Sequence, residues 1–352
     1  MKNKRFVHVF LSVAAVIWLS VAGVGSATQA RQNTGVSADA RFVSTPVLYR
    51  TSHFFVLSAG GSPSLPAVGK LLESIYSRVS QAMASYGLAL ELRAEPLVWM
   101  CFDDRERYRR HALEVEQASP AFQYAYYSTR SNHVVLFCDD LPKVRPAAGR
   151  AATIDASVYL TALEGQPPRG RHASEPDASE RIVVLTHELA HQMAYNSGLQ
   201  KRGVMYPLWV SEGLATFFED CALSPSERLL HASRRRRLAQ LRAERRLLPL
   251  HELAVLVGPD TFEMSMADVY AQCWGLLAFL LQRHSDELSA YLTESAQSPL
   301  GRRSSTSLHQ DFVKHFGDMG ALDRDWREFV GSLSHPDLDA SPTRAGAAHA
   351  GL

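Results

Sequence analysis

The stretch HELAHQMAYNSG, His187 to Gly198, constrains this chain more than any other. His187 and His191 stand four positions apart, so on a helix they lie one turn apart on the same face, where two imidazoles can grip one metal ion. Glu188, offset by one residue, can reach a water on that ion and act as its base. With 14 histidines in the chain, the same spacing also arises by chance in an ordinary amphipathic helix. The helix is well delimited. Asp177 is placed to cap its start with Glu180 three residues on, Ile182, Val183 and Leu185 bury one side, and Asn196 to Gly198 end it.

Two histidines do not make a catalytic metal site, which needs three protein ligands and an open position. PLWVSEGLATFFED, Pro207 to Asp220, has a second helical pattern, and its Glu212 follows His191 by 21 residues. That interval accommodates the end of the first helix, a turn through GLQKRGVMYP and a returning helix, so Glu212 is expected to face the histidines from an antiparallel neighbour. Two imidazoles and one carboxylate suit Zn2+ and leave it a net positive charge, which lowers the pKa of a bound water towards ~7. No CxxC spacing occurs, which argues against a cysteine zinc ribbon, and no GxSxG supports a serine nucleophile.

The remaining sequence predicts an α+β chain. HFFVLS and PLVWMCF read as strands, with an amphipathic helix over about Ala67 to Tyr86 between them. DDRERYRRHAL reads as a helix opening on acidic residues, and YAYYSTRSNHVVLFC as a β-hairpin. Helical spacing then recurs through Ile182–Tyr195, Leu208–Cys221, Leu229–Leu247, Val269–Leu281, Leu288–Leu292 and Phe312–Leu333. The basic run SRRRRLAQLRAERR reads as a solvated helix face, because interleaved leucines already supply a core stripe. The expected organisation is an α/β subdomain over 46–198 carrying an insertion at 139–177, a helical subdomain over 199–334 and a disordered tail over 335–352.

The N-terminus reads as an export signal over residues 1–30: basic MKNKR, an apolar run Phe6 to Val24, then small residues GSATQA, followed by a polar linker over 31–45. The expected location is therefore exported, with membrane anchoring through an uncleaved signal as the alternative. In an oxidising compartment the four cysteines, Cys101, Cys138, Cys221 and Cys273, can pair; Cys101 and Cys138 on strand-like runs allow one bridge, three pairings in all stay open, and four buried free thiols are the alternative. A formal net charge of +1 gives no field that would attract nucleic acid, so no nucleic-acid partner is expected.

HELAHQ, Asn196 and LWVSEGLATFFE together resemble the gluzincin zinc metallopeptidases, and within them the bacterial peptidase MA-like domains. The likeness is strongest over Thr186–Asp220 and extends weakly across most of residues 50–333. It implies a zincin-like fold, His187, His191 and Glu212 as Zn2+ ligands, Glu188 as general base, and a peptide or protein substrate. It further implies that Glu219 orients a ligand histidine, that Asn196 supports the site and that Tyr270 steadies the oxyanion. From the residues alone, Glu219 reads equally as a surface carboxylate and Tyr270 as a packed core tyrosine. No GxMEN-like segment is present, which argues against the amine-anchoring aminopeptidases. The edge strand that pairs with substrate in many zincins is expected at SNHVVLFC, and a zincin fold kept for binding without turnover is the competing reading.

Overall fold

A computed structural model describes residues 47–58, 65–88, 90, 95–116, 124–138, 178–223, 230–258 and 264–333. The expected signal, linker, insertion and tail, and the cap at Asp177, lie outside the described residues. The chain adopts the α+β order read from its sequence, a mixed five-stranded sheet followed by a mainly helical region. No helix among the described residues is long and apolar enough to cross a membrane.

The strands are β1 (Val47–Arg50), β2 (Phe54–Ser58), β3 (Leu97–Phe102), β4 (Ala125–Ser128) and β5 (His133–Phe137), in the spatial order β1-β2-β3-β5-β4. β2, β3 and β5 run parallel, while β1 and β4 are antiparallel edges. β1 was not foreseen; its VLYR lacks alternation, and Val47 and Leu48 are more than half exposed. The period of two sends Phe54, Val56, Trp99, Val134 and Leu136 to one face and Met100, Phe102, Val135 and Phe137 to the other. The first face builds the main core with α1 (Leu65–Ser85) and α3 (Ala178–Asn196). The second is covered by α2 (Arg105–Arg110), capped by Asp104, whose carboxylate accepts from the Arg107 N–H at 2.7 Å.

One strand expectation is corrected. SNHVVLFC is not the edge, because β5 lies between β3 and β4. β5 joins β3 in parallel, so the hairpin can close only with its first strand outermost, and among the described residues β4 is the last strand on that side of the sheet.

The helical region contains α4 (Leu208–Phe218), α5 (Leu230–Ala243), α6 (Leu250–Leu253), α7 (Met266–Arg283), α8 (Ser285–Ser295), α9 (Ser305–Phe316) and α10 (Met319–Ser332). Every residue of α4 is buried, because it is held between α3 and α7. Gly213 allows the closest approach: a Cβ there would stand 2.8 Å from the Cys273 carbonyl oxygen on α7. The run read as continuous over Phe312–Leu333 is two helices. Gly317, at φ +78°, stops α9, and the Asp318 side chain accepts from the Ala321 N–H at 2.7 Å to start α10.

The disulfide reading is also corrected. All four cysteines are free thiols. Cys101 pairs in register with Leu136, and the neighbouring Cys138 thiol makes a hydrogen-bond contact with the Cys101 thiol rather than a covalent bond.

Candidate metal centre

α3 and α4 place the candidate ligands. His187 and His191 point from one face of α3 towards α4, bringing their Nε2 atoms to 3.2 Å. The chain leaves α3 at Asn196, turns through Gly198 at φ +87° and re-enters as α4, whose first helical residue is tied down by the Leu208 N–H donating to the Leu256 carbonyl at 2.7 Å. Glu212 therefore arrives opposite the histidines, its carboxylate oxygens 3.5 Å from His187 Nε2 and 3.6 Å from His191 Nε2.

These three distances have a direct meaning. Ligand atoms about 2.0–2.1 Å from a tetrahedral zinc lie about 3.4 Å from one another. Here the two imidazole nitrogens stand 3.2 Å apart, Glu212 Oε2 faces His187 at 3.5 Å and Oε1 faces His191 at 3.6 Å, close to that spacing, and one ligand atom from each residue lies within 4.8 Å of the others. Among the described residues, His187, His191 and Glu212 form the one group able to hold a metal ion, and all three are buried. Both Glu212 carboxylate oxygens are buried without a hydrogen-bond partner. A buried carboxylate with no close hydrogen bond, only two imidazoles at 3.5 and 3.6 Å, is costly, and a cation at this point would satisfy it.

The protonation preferences agree with a cation site. Burial by itself would lower His187, but the carboxylates of Glu212 and Glu219 raise it to about 10. Glu212 is pushed up by burial, yet the two imidazoles hold it well below the usual carboxylate range. Glu219 sits behind His187, its Oε2 accepting from Nδ1 at 3.0 Å. With Nδ1 donating to Glu219, Nε2 is the ring nitrogen turned towards Glu212 and His191, the one that would ligate a metal on losing its proton.

Glu188 lies beside this trio. Its Oε2 accepts from the Tyr127 N–H of β4 at 2.7 Å, and its Oε1 is buried without a partner. Burial raises its pKa against the opposing pull of His187, His191 and the Tyr127 N–H. Tyr270 of α7 brings its buried, unpartnered hydroxyl next to Glu212, where burial and that carboxylate both hold it protonated. His187, Glu188, His191, Glu212, Glu219 and Tyr270 are thus assembled in one place.

Asn196 is placed differently. Its side chain exchanges two 2.9 Å hydrogen bonds with Asn132, the φ +64° residue of the β4–β5 turn. Gln192 joins the same junction: it accepts from Trp99 Nε1 at 2.8 Å and donates to the carbonyls of Asn132 and Val98 at 2.9 and 3.2 Å. Tyr127 donates its hydroxyl to Asn132 Oδ1 at 2.8 Å. The hairpin is therefore latched to α3 one and two turns from the histidines, which sets where the Tyr127 N–H meets Glu188.

Sequence reading missed Tyr127, Asn132, Gln192 and Arg234. The first three act through contacts between residues 60 or more positions apart. Arg234 of α5 is buried, and its guanidinium pairs with Glu219. The basic helix is thus not wholly a solvated face, since Arg237 similarly pairs with buried Asp268. One signal was available: Arg234, Leu238 and Leu241 share the spacing of a core stripe.

A family described as a protein of unknown function (DUF1570) matches residues 181–301, the span from α3 through α8. No curated protein matches the chain. Among solved structures it is similar to an M1 zinc metallopeptidase from Deinococcus radiodurans, at 15% identity and TM-score 0.35, over 84% of this chain and 52% of that one. A mutant of that enzyme gives 15% identity and TM-score 0.37 over 85% and 53%, and the mutant bound to a Tyr-Ser-Ala substrate gives 13% and 0.36 over 81% and 51%. The chain spans about half the length of these metallopeptidases.

Proposed function

We propose that the protein is a zinc-dependent peptidase acting outside the cytoplasm, with Glu188 as general base. The observation that carries this reading is the convergence of His187 Nε2, His191 Nε2 and the Glu212 carboxylate, with ligand atoms within 4.8 Å of one another, and a fourth buried group, Glu188, aimed beside them but not among them. A purely structural zinc site has no use for such a carboxylate.

His187, His191 and Glu212 would hold the ion. When bound, zinc supplies Lewis acidity that polarises a carbonyl and makes a water acidic. Glu188 takes the proton from the attacking water at Oε1, the oxygen not engaged by Tyr127, and later delivers it to the leaving amine. The Tyr127 N–H holds Glu188 in place for both transfers. Tyr270, kept protonated, donates a hydrogen bond to the oxygen that becomes negative as water adds. β4 is the outermost strand beside Glu188 among the described residues and would pair with an extended peptide, which favours a peptide bond as the substrate. Export rests on the basic and apolar N-terminal segment, and N-terminal sequencing of the native protein tests it.

Peptide-library cleavage by wild type and by Glu188→Gln, each with its zinc content measured, tests the activity. The expected result is one equivalent of zinc in both, with cleavage falling at least about 100-fold in the variant. Equal cleavage by the two proteins refutes the role of Glu188, and a zinc-loaded wild type without cleavage supports a binding protein instead.

A further inference from the structure

We propose that Arg234 is a positioning residue of the metal centre, fixing the His187 ring through Glu219 and offsetting one of the site's buried carboxylates. This rests on the reading of His187, His191 and Glu212 as metal ligands. The connection runs through three helices: Arg234 on α5 donates from Nη2 to Glu219 Oε1 at the end of α4, and Glu219 Oε2 accepts from His187 Nδ1 of α3 at 3.0 Å. The two oxygens of Glu219 are thereby divided between the guanidinium and the imidazole, so the carboxylate cannot rotate without breaking one bond. A second Arg234 donor, Nη1, points at the Thr216 carbonyl at 3.4 Å and sets the plane of the fork. Because a guanidinium is planar and its donors are rigidly spaced, the orientation is passed on to the ring.

Charge supports the same assignment. Glu188, Glu212 and Glu219 are each no more than 2% exposed, and Arg234 is 8% exposed. Arg234 is the cation paired directly with the Glu219 member of this set. Without Arg234, Glu219 keeps His187 as its only remaining charge-assisted partner. Arg237 provides the contrast. It lies one turn on, pairs with Asp268, which is 1% exposed, and that aspartate touches no metal ligand. Both arginines are helix staples, but only Arg234 is connected to the centre.

The test measures zinc affinity by competition with a chromophoric chelator, and the visible spectrum of the cobalt-substituted full chain. Arg234→Met is expected to raise the zinc Kd at least about tenfold and to alter the cobalt bands, within the 10–100-fold range that partners of ligand histidines show. Glu219→Gln should do the same. The double variant should be no weaker than the poorer single one, because both remove the same support. Arg234→Lys should restore part of the loss, and Arg237→Gln should lower the unfolding midpoint while leaving the zinc Kd unchanged. A wild-type Kd in Arg234→Lys and Arg234→Met alike, or additive losses in the double variant, overturns the proposal. If Arg234→Met does not fold, Arg234→Lys decides: an unchanged Kd and cobalt spectrum refute the assignment. A wild-type protein that takes up no zinc overturns the metal reading itself and this proposal with it.

Discussion

Replacing Gln192 with methionine keeps the length and volume of the side chain but removes three hydrogen bonds from the junction between α3 and the sheet. Trp99 Nε1–H loses an acceptor at 2.8 Å, and the carbonyls of Asn132 and Val98 lose a donor at 2.9 and 3.2 Å. Gln192 and Trp99 are both 0% exposed, so water cannot replace what is lost. An orphaned buried donor costs about 1–3 kcal/mol. The two carbonyls, each with a second lone pair, together add about 1–2 kcal/mol. Burying a thioether in place of an amide recovers about 1 kcal/mol. The expected loss is therefore about 1–4 kcal/mol. Urea unfolding followed by tryptophan fluorescence measures it, with a chelator present so that metal binding does not contribute to the difference. A loss below about 1 kcal/mol would refute the reasoning, since it would mean that the junction is satisfied some other way. Because the same junction sets the Tyr127 N–H against Glu188, cleavage should fall further than the lost stability accounts for.

Gly213→Ala forces a Cβ to 2.8 Å from the Cys273 carbonyl oxygen, so α4 and α7 must part by about half an ångström, at a cost of about 1–3 kcal/mol, partly offset by the better helix propensity of alanine. A thermal melt should show lower stability, and zinc binding should weaken because Glu212 is the adjacent residue. Burial pushes Glu116 up, but the His111 imidazole at 3.7 Å and the hydrogen bond it accepts from Ser128 Oγ at 2.6 Å prevail and lower it below its ordinary 4.5. A depressed carboxylate stabilises the fold above its unfolded pKa and loses that contribution as pH falls through the folded value. Glu116→Gln should therefore be less stable at neutral pH and show a shallower loss of stability below pH 4.5, read from urea midpoints across a pH series. Of the four cysteines only Cys221 is half-exposed, whereas burial raises the thiols of Cys138 and Cys273. A thiol reagent should label one cysteine rapidly in native protein and all four in urea; two in urea would reveal a disulfide.

The candidate ligands were legible in the sequence because their placement is local. A spacing of four fixes His187 and His191 on one helix face, and 21 residues leave room for little except a helix, a turn and a returning helix carrying Glu212. Strand patterns over Phe54–Ser58, Leu97–Phe102 and His133–Phe137 were equally local, since a period of two needs only neighbours. Tertiary structure alone decided which hairpin strand became the edge, because pairing order depends on how β5 meets β3 across an intervening helix. It alone also brought the Tyr127 N–H to Glu188 and Gln192 to Trp99, across 61 and 93 residues. Arg234 stands between these cases. Its place in a core stripe was visible, but a run of arginines reads as solvated until a buried carboxylate is found opposite one of them. Periodicity depends on the backbone of one element and can be read from one segment, whereas the partner of a buried charge depends on where other elements pack.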